Sequence, residues 1–237
     1  MKDAWGRTIE YVRLSLTDAC NFCCPYCRPA EITPQSQTQL LSVDEWMNIL
    51  GAFHHIGVKA VRLTGGEPLL YPHIEELLGR IKETGWFEDI SMTTNGSLLA
   101  SRAQRLKKLG LNRVNISLDS LETEAFATCV GKAGQLESVL DGIRSAINAN
   151  FKSVKINTVL SRYWSDDEVK SLLQYVEKQM RLCLLRDDEA DLVSLVRKGV
   201  SIKDLANHIE RALQRKQERH DGIGMDQPER PMWRIGG

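Results

Sequence analysis

Four of the six cysteines in this chain of 237 residues lie between positions 20 and 27. They are Cys20, Cys23, Cys24 and Cys27. A chain of this length can bury a sizeable core and does not need a crowded disulfide framework to fold. Thiolates are strong metal ligands, and the crowding therefore indicates a reduced compartment and a metal site.

Two interpretations of the cysteine cluster compete. As zinc knuckles, it would consist of the abutting pairs Cys20/Cys23 and Cys24/Cys27, although structural zinc sites normally separate their knuckles along the chain. With the spacing C-x-x-x-C-x-x-C, Cys20, Cys24 and Cys27 are three ligands and Cys23 is a spare thiol. Three thiolates on a tight loop can hold three irons of a [4Fe–4S] cluster and leave the fourth iron open. A metal analysis that finds zinc without iron or sulfide would favour the first interpretation.

A second motif, Gly65-Gly66-Glu67-Pro68, directly follows a predicted strand. Glycines at such a point allow the backbone to approach a ligand closely. By itself this tetrapeptide would more often be a turn than a site. Its place after the second strand, with the cysteines after the first, favours a site at the edge formed by the carboxyl ends of the strands.

The elements that must position these motifs alternate along the chain. Strands are predicted at residues 11–17, 58–64, 89–94, 113–118 and 153–160. Helices are predicted from the capping-box residue Ser42 onward, over residues 72–84, 99–109 and 135–149, and from Ser165 to about residue 179. Strand–helix alternation of this kind predicts right-handed βαβ units and a parallel sheet, either doubly wound or part of a barrel.

The faces of the predicted strands favour the barrel. In each strand the apolar and polar residues separate with period two, as Val12 and Leu14 separate from Arg13. Strands covered by helices on both faces would be apolar almost throughout. We therefore predict an α/β fold, an incomplete (β/α) barrel of about five parallel strands with helices outside, a polar interior and a helical C-terminal segment. The alternative is an amphipathic antiparallel sheet, which the intervening helices disfavour.

Two regions follow from the point where the alternation stops. We predict a partial barrel over residues 1–180 and a smaller C-terminal region over residues 181–237. The second region would contain helices at 187–198 and 201–218 and an irregular tail from residue 221.

Composition excludes several classes of protein. The 31 basic and 31 acidic residues give a formal net charge of zero, and 42% of the residues are hydrophobic. Intrinsic disorder and nucleic-acid binding through a strong basic field are both disfavoured. No apolar run approaches the roughly 20 residues needed to span a bilayer, and the charged N-terminus is unlike a signal peptide. We expect a cytoplasmic protein, or a mitochondrial matrix protein should a presequence precede this chain.

The cysteine spacing, with the aromatic Tyr26 before the last cysteine, resembles that of the radical S-adenosylmethionine (SAM) superfamily. A wider set of motifs comprises Gly6-Arg7, the segment from Tyr11 to Cys20, Arg62 to Leu69, Thr93-Thr-Asn-Gly96, Asn115 to Asp119, Lys155 to Val159 and the final Gly236-Gly237. This set is similar to that of the GTP 3′,8-cyclases of molybdenum cofactor biosynthesis. The resemblance implies that an electron from the cluster cleaves SAM to a 5′-deoxyadenosyl radical, which then converts GTP to 3′,8-cyclo-7,8-dihydro-GTP.

Roles carried over by this resemblance fall into three groups. The cluster ligands would be Cys20, Cys24 and Cys27. The contacts to SAM would be Tyr26, Gly65, Gly66, Glu67, Ser117 and Asn157. The contacts to GTP would be Arg13, Arg62, Thr93 and Lys155. The strand pattern agrees, since all four GTP residues fall on the polar faces, and two guanidinium groups with an ammonium suit a triphosphate. Any one of these cations taken alone would more often belong to a surface ion pair.

The chain also departs from the cyclase pattern. That family carries a second [4Fe–4S] cluster held by a C-x-x-C pair and a later cysteine, and here only Cys183 matches. The resemblance implies that an internal block is missing at the junction of Met180 and Arg181. We therefore expect the second cluster to be absent, Cys183 to be a thiol without a cluster role, and the cyclisation to be impaired.

Expected partners and alternatives follow from the same resemblance. The partners would be GTP, an electron donor, a second copy of the chain in a homodimer, and the downstream cyclic pyranopterin monophosphate synthase. Neither nucleic acid nor a membrane is expected. The alternative functions are a non-catalytic form that binds SAM or pairs with full-length protomers, and a radical SAM enzyme that acts on another anionic substrate.

Overall fold

A computed structural model describes residue 8 and residues 10–27, 40–159 and 165–179 of the chain. For residues 177–179 only the backbone is described. The centre of the structure is one sheet of five parallel strands in the order β1-β2-β3-β4-β5. The strands are β1 (Tyr11–Ser15), β2 (Ala60–Thr64), β3 (Asp89–Thr94), β4 (Arg113–Ser117) and β5 (Ser153–Asn157). Each strand thus pairs with its neighbours along the chain, as in a (β/α) barrel.

Helices separate the strands. They are α1 (Val43–His55), α2 (Ile74–Thr84), α3 (Ala103–Lys108), α4 (Thr123–Val130) and α5 (Leu136–Asn148), and α6 (Asp166–Gln179) follows β5. A short 3-10 turn, Pro68–Leu70, lies between β2 and α2. The predicted fold class, a partial barrel of about five parallel strands, is confirmed.

The two faces of the sheet differ as the sequence pattern predicts. On the apolar face, Leu63, Met92 and Ile116 are fully buried. On the opposite face, Arg62 is half-buried and Arg13 is exposed. Since parallel strands in register place corresponding residues on the same face, the polar residues of the five strands line one surface.

Local signals explain most of the helices. The Ser42 hydroxyl accepts the backbone N–H of Glu45, while the Glu45 side chain accepts the backbone N–H of Ser42, which is the predicted capping box. The amphipathic α5 buries one apolar stripe that includes Val139 and Ile143. Helix α2 ends at Thr84, and the next residue, Gly85, has the left-handed conformation that glycine adopts without strain.

Helix α4 is missing from the sequence-based prediction. It has only eight residues, Glu122 at its N-cap makes no side-chain capping bond, and three of its residues are β-branched. Each of these weakens the helical pattern. The left-handed Gly131 at its C-terminus was the available signal.

The chain divides into two compact units, one with the described residues through Thr158 and one with those from Val159. The first contains the sheet and α1–α5, and the second contains α6. The predicted boundary between residues 180 and 181, the helices at 187–198 and 201–218, Cys183 and the Gly236-Gly237 tail lie outside the described residues. Within the described part, no helix combines the length and apolar character needed to cross a bilayer.

Candidate active site

The cysteine loop begins just beyond the carboxyl end of β1. The backbone N–H of Leu16 still bonds to the carbonyl of Thr64, 2.9 Å away, so the loop starts from an ordered strand end. Further on, the N–H of Cys27 donates to the carbonyl of Cys24 at 3.0 Å and closes a turn. The N–H of Phe22 points at the sulfur of Cys20, at 3.4 Å. The fold therefore gathers the three predicted cluster ligands on one short, folded loop.

Residues Phe22 and Cys23 of the cysteine loop contact α4. Phe22 packs edge-to-face against Phe126, with ring centres 6.2 Å apart, and both rings are buried. The N–H of Cys23 donates to the carbonyl of Val130 at 2.8 Å. Any side chain at Gly131 would place its Cβ 2.5 Å from the carbonyl oxygen of Cys23. Cys23 thus contributes its backbone to holding the loop, while its exposed side chain has no such role.

Gly65 and Gly66 bring the loop after β2 against the same segment. The N–H of Gly66 donates to Thr17 O at 2.6 Å, and that of Glu67 to Ala19 O at 2.8 Å. A Cβ would lie 2.4 Å from Thr17 O at Gly65 and 2.3 Å from Ala19 O at Gly66. The glycines are therefore required first of all for close packing of two protein loops.

Glu67 is completely buried, and its carboxylate is bonded within the protein. It accepts the N–H of Leu69 at 3.0 Å, the hydroxyl of Thr94 at 2.8 Å and the N–H of Asn95 at 2.7 Å. Burial raises its pKa to about 7, although these three bonds and the charge of Arg102 oppose the shift. Glu67 was predicted as a SAM contact. In the structure its carboxylate links the loop after β2 to the end of β3 and the loop that follows it.

The thiols of Cys20, Cys24 and Cys27 lie close enough to influence one another. Burial, followed by the charges of Cys20 and Cys27, raises the pKa of Cys24 to about 12. Burial also raises the pKa of Cys20. Thiols of this kind stay protonated at neutral pH until a cation replaces the proton, as metal binding requires.

This donor set fits a [4Fe–4S] cluster. None of the described cysteines is joined in a disulfide. Across the residues that the structure describes, no three His, Cys, Asp or Glu side chains are arranged to hold a single metal ion. Cysteines that each bind a different iron of a cluster do not have to meet around one ion. Cys20, Cys24 and Cys27 are therefore the residues that would hold the cluster.

Tyr26 lies between two of the candidate cluster ligands and is bonded to the segment that follows β4. Its hydroxyl donates to Asp119 Oδ2 at 2.7 Å, and 44% of the residue is exposed. Burial of the hydroxyl and the neighbouring charge of Asp119 raise the pKa of Tyr26, which keeps the group a donor. The predicted SAM contact is thus held in place through its hydroxyl while the residue stays partly exposed.

A row of basic residues crosses the polar face at one level. The register pairs Arg13 with Arg62, Arg62 with Ser91, and Ser91 with Arg113. Arg62 donates to the hydroxyl of Ser91 at 3.3 Å, and Arg113 forms an ion pair with Asp89. Burial and then the charges of Arg13 and Arg113 lower the pKa of Arg62, against an opposing effect of Tyr11. Guanidinium groups that repel one another in this way form a surface suited to an anion.

The remaining predicted contacts occupy the next two rows. Thr93, Asn115 and Lys155 are paired in one row, and Ser117 and Asn157 in the next. The Thr93 hydroxyl oxygen is buried and has no hydrogen-bond partner among the described residues. A buried hydroxyl in that condition is what a bound ligand could satisfy.

Three residues with evident roles at this site were not assigned from the sequence. Asn95 contacts the sulfur of Cys20 at 3.8 Å, Asp119 binds Tyr26, and Arg113 continues the basic row. Asn95 and Asp119 lie just beyond the carboxyl ends of β3 and β4, and Arg113 lies on the polar face of β4. These positions were the signals that the sequence offered.

Comparison with known proteins agrees with this geometry. The family model described as the radical SAM superfamily matches residues 14–176. The chain belongs to the radical SAM superfamily. Residues 14–176 run from the end of β1 into α6, so the match includes the whole cysteine loop and all of β2 to β5.

Within this superfamily, the chain is similar to curated GTP 3′,8-cyclases. The GTP 3′,8-cyclase 2 of Pseudomonas aeruginosa is 43% identical over 173 residues, which are 73% of this chain and 52% of the relative. The GTP 3′,8-cyclase of Marinobacter nauticus is 38% identical over 203 residues, 85% of this chain and 61% of the relative. The chain therefore spans between about half and three fifths of the length of these two relatives.

Two solved structures share the fold. SuiB of Streptococcus suis, solved with bound S-adenosylmethionine, superposes with a TM-score of 0.63 at 18% identity and covers 88% of this chain and 48% of its own. Methylornithine synthase gives a TM-score of 0.59 at 16% identity, over 73% of this chain and 51% of its own. At this identity the likeness concerns the fold alone.

Proposed function

We propose that this chain is a radical SAM enzyme of the GTP 3′,8-cyclase type, which binds GTP across the polar face of its sheet. One observation carries the proposal: three guanidinium groups, those of Arg13, Arg62 and Arg113, lie in a single register row, and Arg113 is ion-paired with Asp89. Such a row suits a polyphosphate, and the two curated relatives are both named GTP 3′,8-cyclases.

Residues in different register rows of the sheet would bind different parts of the ligands. Arg13 and Arg62 would bind the phosphates, and Thr93 and Lys155 would contact the nucleotide one row nearer the cysteine loop. Ser117 and Asn157, at the carboxyl ends of β4 and β5, would contact SAM together with Tyr26 and the backbone of Gly66. A [4Fe–4S] cluster held by Cys20, Cys24 and Cys27 would supply the electron for cleavage of SAM. The chain's own task is then to hold the substrate where the reacting atoms meet and to exclude water.

The finer assignments belong to the same proposal. We propose one cluster in this chain, held by Cys20, Cys24 and Cys27, and no second cluster, because Cys183 is the single cysteine after Cys129. An external electron donor, a homodimer, a cytoplasmic location and a downstream cyclic pyranopterin monophosphate synthase are proposed with it. They rest on the similarity to the cyclases.

The test uses reconstituted protein in the absence of oxygen. With dithionite, SAM and GTP, we expect 5′-deoxyadenosine and 3′,8-cyclised dihydro-GTP, both detected by mass spectrometry. Replacing GTP by ATP should abolish the cyclised product. If no cyclised product forms with GTP, whether or not 5′-deoxyadenosine is detected, the proposal is refuted.

The substrate site has its own test in GTP binding. Arg62→Ala removes a charge-assisted contact worth about 1.5–3 kcal/mol, and we expect a Kd for GTP raised about 10- to 100-fold. The control is Arg144→Ala, which removes an exposed guanidinium bonded to Asp141 on α5. Equal Kd values for the two variants would exclude Arg62 from the phosphate site.

A second candidate is a chain that binds and cleaves SAM without cyclising GTP. The observation in its favour is the absence of a C-x-x-C pair after Lys155, so the second site of the cyclase pattern is incomplete here. Formation of 5′-deoxyadenosine at a rate that GTP does not change, with no cyclised product, would support this candidate. Pairing with a full-length homologue can be tested by size-exclusion chromatography of the mixture.

A further inference from the structure

A closed ring of hydrogen bonds lies beside the first cysteine of the loop. The Asn95 amide nitrogen donates to Asn21 Oδ1 at 2.9 Å, and the Asn21 amide nitrogen donates to Ser97 Oγ at 2.9 Å. The Ser97 hydroxyl donates to Asn95 Oδ1 at 2.7 Å and closes the ring. The ring joins the cysteine loop to the loop that follows β3, across more than seventy positions of sequence.

A fourth bond, outside the ring, determines which end of the Asn95 amide faces Cys20. The backbone N–H of Ser97 lies 3.0 Å from Asn95 Oδ1. Since a backbone N–H only donates, the atom that it meets must be the amide oxygen. The amide nitrogen therefore faces the Cys20 sulfur, 3.8 Å away.

The backbone of Asn95 is fixed independently of this ring. Its N–H donates to the buried carboxylate of Glu67 at 2.7 Å, and the preceding Thr94 hydroxyl donates to the same carboxylate at 2.8 Å. Asn95 is thus held at both its main chain and its side chain. A donor held in this way needs no reorganisation when the charge of its acceptor changes.

We propose that Asn95 is a positioning residue for the [4Fe–4S] cluster. Its side-chain amide donates to the sulfur of Cys20 and thereby raises the reduction potential of the cluster. Reduction adds one electron and therefore negative charge to the cluster and its thiolates. A donor aimed at a ligand sulfur stabilises the reduced form more than the oxidised form. The inference rests on membership of the radical SAM superfamily and is independent of the identity of the substrate.

The test measures the midpoint potential of the reconstituted cluster by spectroscopic redox titration, with neither SAM nor GTP present. Asn95→Ala removes the donor, and we expect a more negative potential. At a fixed potential the oxidised-to-reduced ratio should change at least threefold, which is about 28 mV at 59 mV per tenfold for a one-electron couple. Asn95→Asp keeps the shape and the acceptor for Ser97 but adds a negative charge, and its shift should be at least as large.

Gln104→Ala is the matched control. Gln104 also donates through a side-chain amide, to the carbonyl of Asn148 at 3.2 Å, but it is exposed on α3. Its potential should equal that of the unchanged protein. If both Asn95 variants change the ratio less than twofold, as the control does, the inference is wrong.

Circular dichroism of the cluster-free protein separates this role from a general effect on folding. If Asn95→Ala does not fold, Asn95→Asp alone decides, because it retains the bonds from Ser97. If both variants fold with unchanged thermal midpoints but fail to retain iron that the Gln104→Ala protein retains, the positioning role is supported. Because GTP is absent from every arm, failure of the GTP proposal leaves this result unaffected.

Discussion

Replacing Glu67 by glutamine should remove a large part of the pH dependence of this chain's folding stability. Glu67 is fully buried, and burial raises its pKa from 4.5 to about 7 in the folded chain. The folded state therefore holds the proton more tightly than the unfolded state. The resulting stabilisation is complete below about pH 4.5 and is lost as the pH rises through about 7.

The size of the effect follows from the two pKa values. A shift of one pKa unit corresponds to about 1.36 kcal/mol. Between pH 5 and pH 8 the folded carboxyl with a pKa of about 7 ionises almost completely, whereas an unfolded carboxyl near 4.5 is already mostly ionised. The contribution of Glu67 to the free energy of unfolding should therefore fall by about 2.5 kcal/mol over this interval.

The measurement is equilibrium unfolding in urea of the reduced, cluster-free protein at pH 5 and at pH 8. Glutamine does not titrate, but it places an amide N–H₂ where one of the three donors to Glu67 expects an acceptor, which costs about 1–3 kcal/mol at either pH. The informative quantity is therefore the change with pH of the difference between the Glu67→Gln variant and the unchanged protein. Other titrating groups are common to both proteins and cancel in this difference.

Glu83→Gln on α2 supplies the control, because Glu83 is exposed to solvent. We expect its difference from the unchanged protein to vary by less than about 0.5 kcal/mol between the two pH values. If the Glu67→Gln difference is equally constant, Glu67 is ionised in the folded chain throughout this range. The reasoning would then be refuted, and the three hydrogen bonds would outweigh burial.

Three further changes test the site and its scaffold. Gly131→Ala and Gly134→Ala both place alanine in the left-handed region, at a cost of about 1–2 kcal/mol each, but only the first brings a Cβ to 2.5 Å from the Cys23 carbonyl. Thermal unfolding should show the larger loss for Gly131→Ala, and iron analysis should show weaker cluster retention in that variant alone; equal losses would remove α4 as a support of the loop. Cys24→Ser should abolish iron binding while Cys23→Ser retains it, as measured by iron and sulfide per chain, and the reverse result would overturn the ligand assignment. Ser42→Ala should lower the free energy of unfolding by about 1 kcal/mol through loss of the capping box, and an unchanged urea midpoint would contradict that role.

The grouping of the candidate ligands on one loop could be predicted from the sequence because its determinants are local. The spacing of Cys20, Cys24 and Cys27 fixes three thiols on one loop whatever surrounds them. The alternation of polar and apolar residues likewise places Arg13 and Arg62 on the same kind of strand face, since side chains along a strand alternate with period two. These local rules also predicted the five parallel strands and all the described helices apart from α4.

Only the tertiary structure decided how the loops meet. The glycine motif was expected to approach a ligand, yet Gly65 and Gly66 are packed against Thr17 and Ala19, and Glu67 is buried among backbone donors of another loop. These contacts depend on the register of β1, β2 and β3, which brings three strand ends to one edge. The bond from Asn95 to Cys20 depends on it as well. Side chains separated by more than seventy positions become neighbours through that register, and no pattern within one segment encodes it.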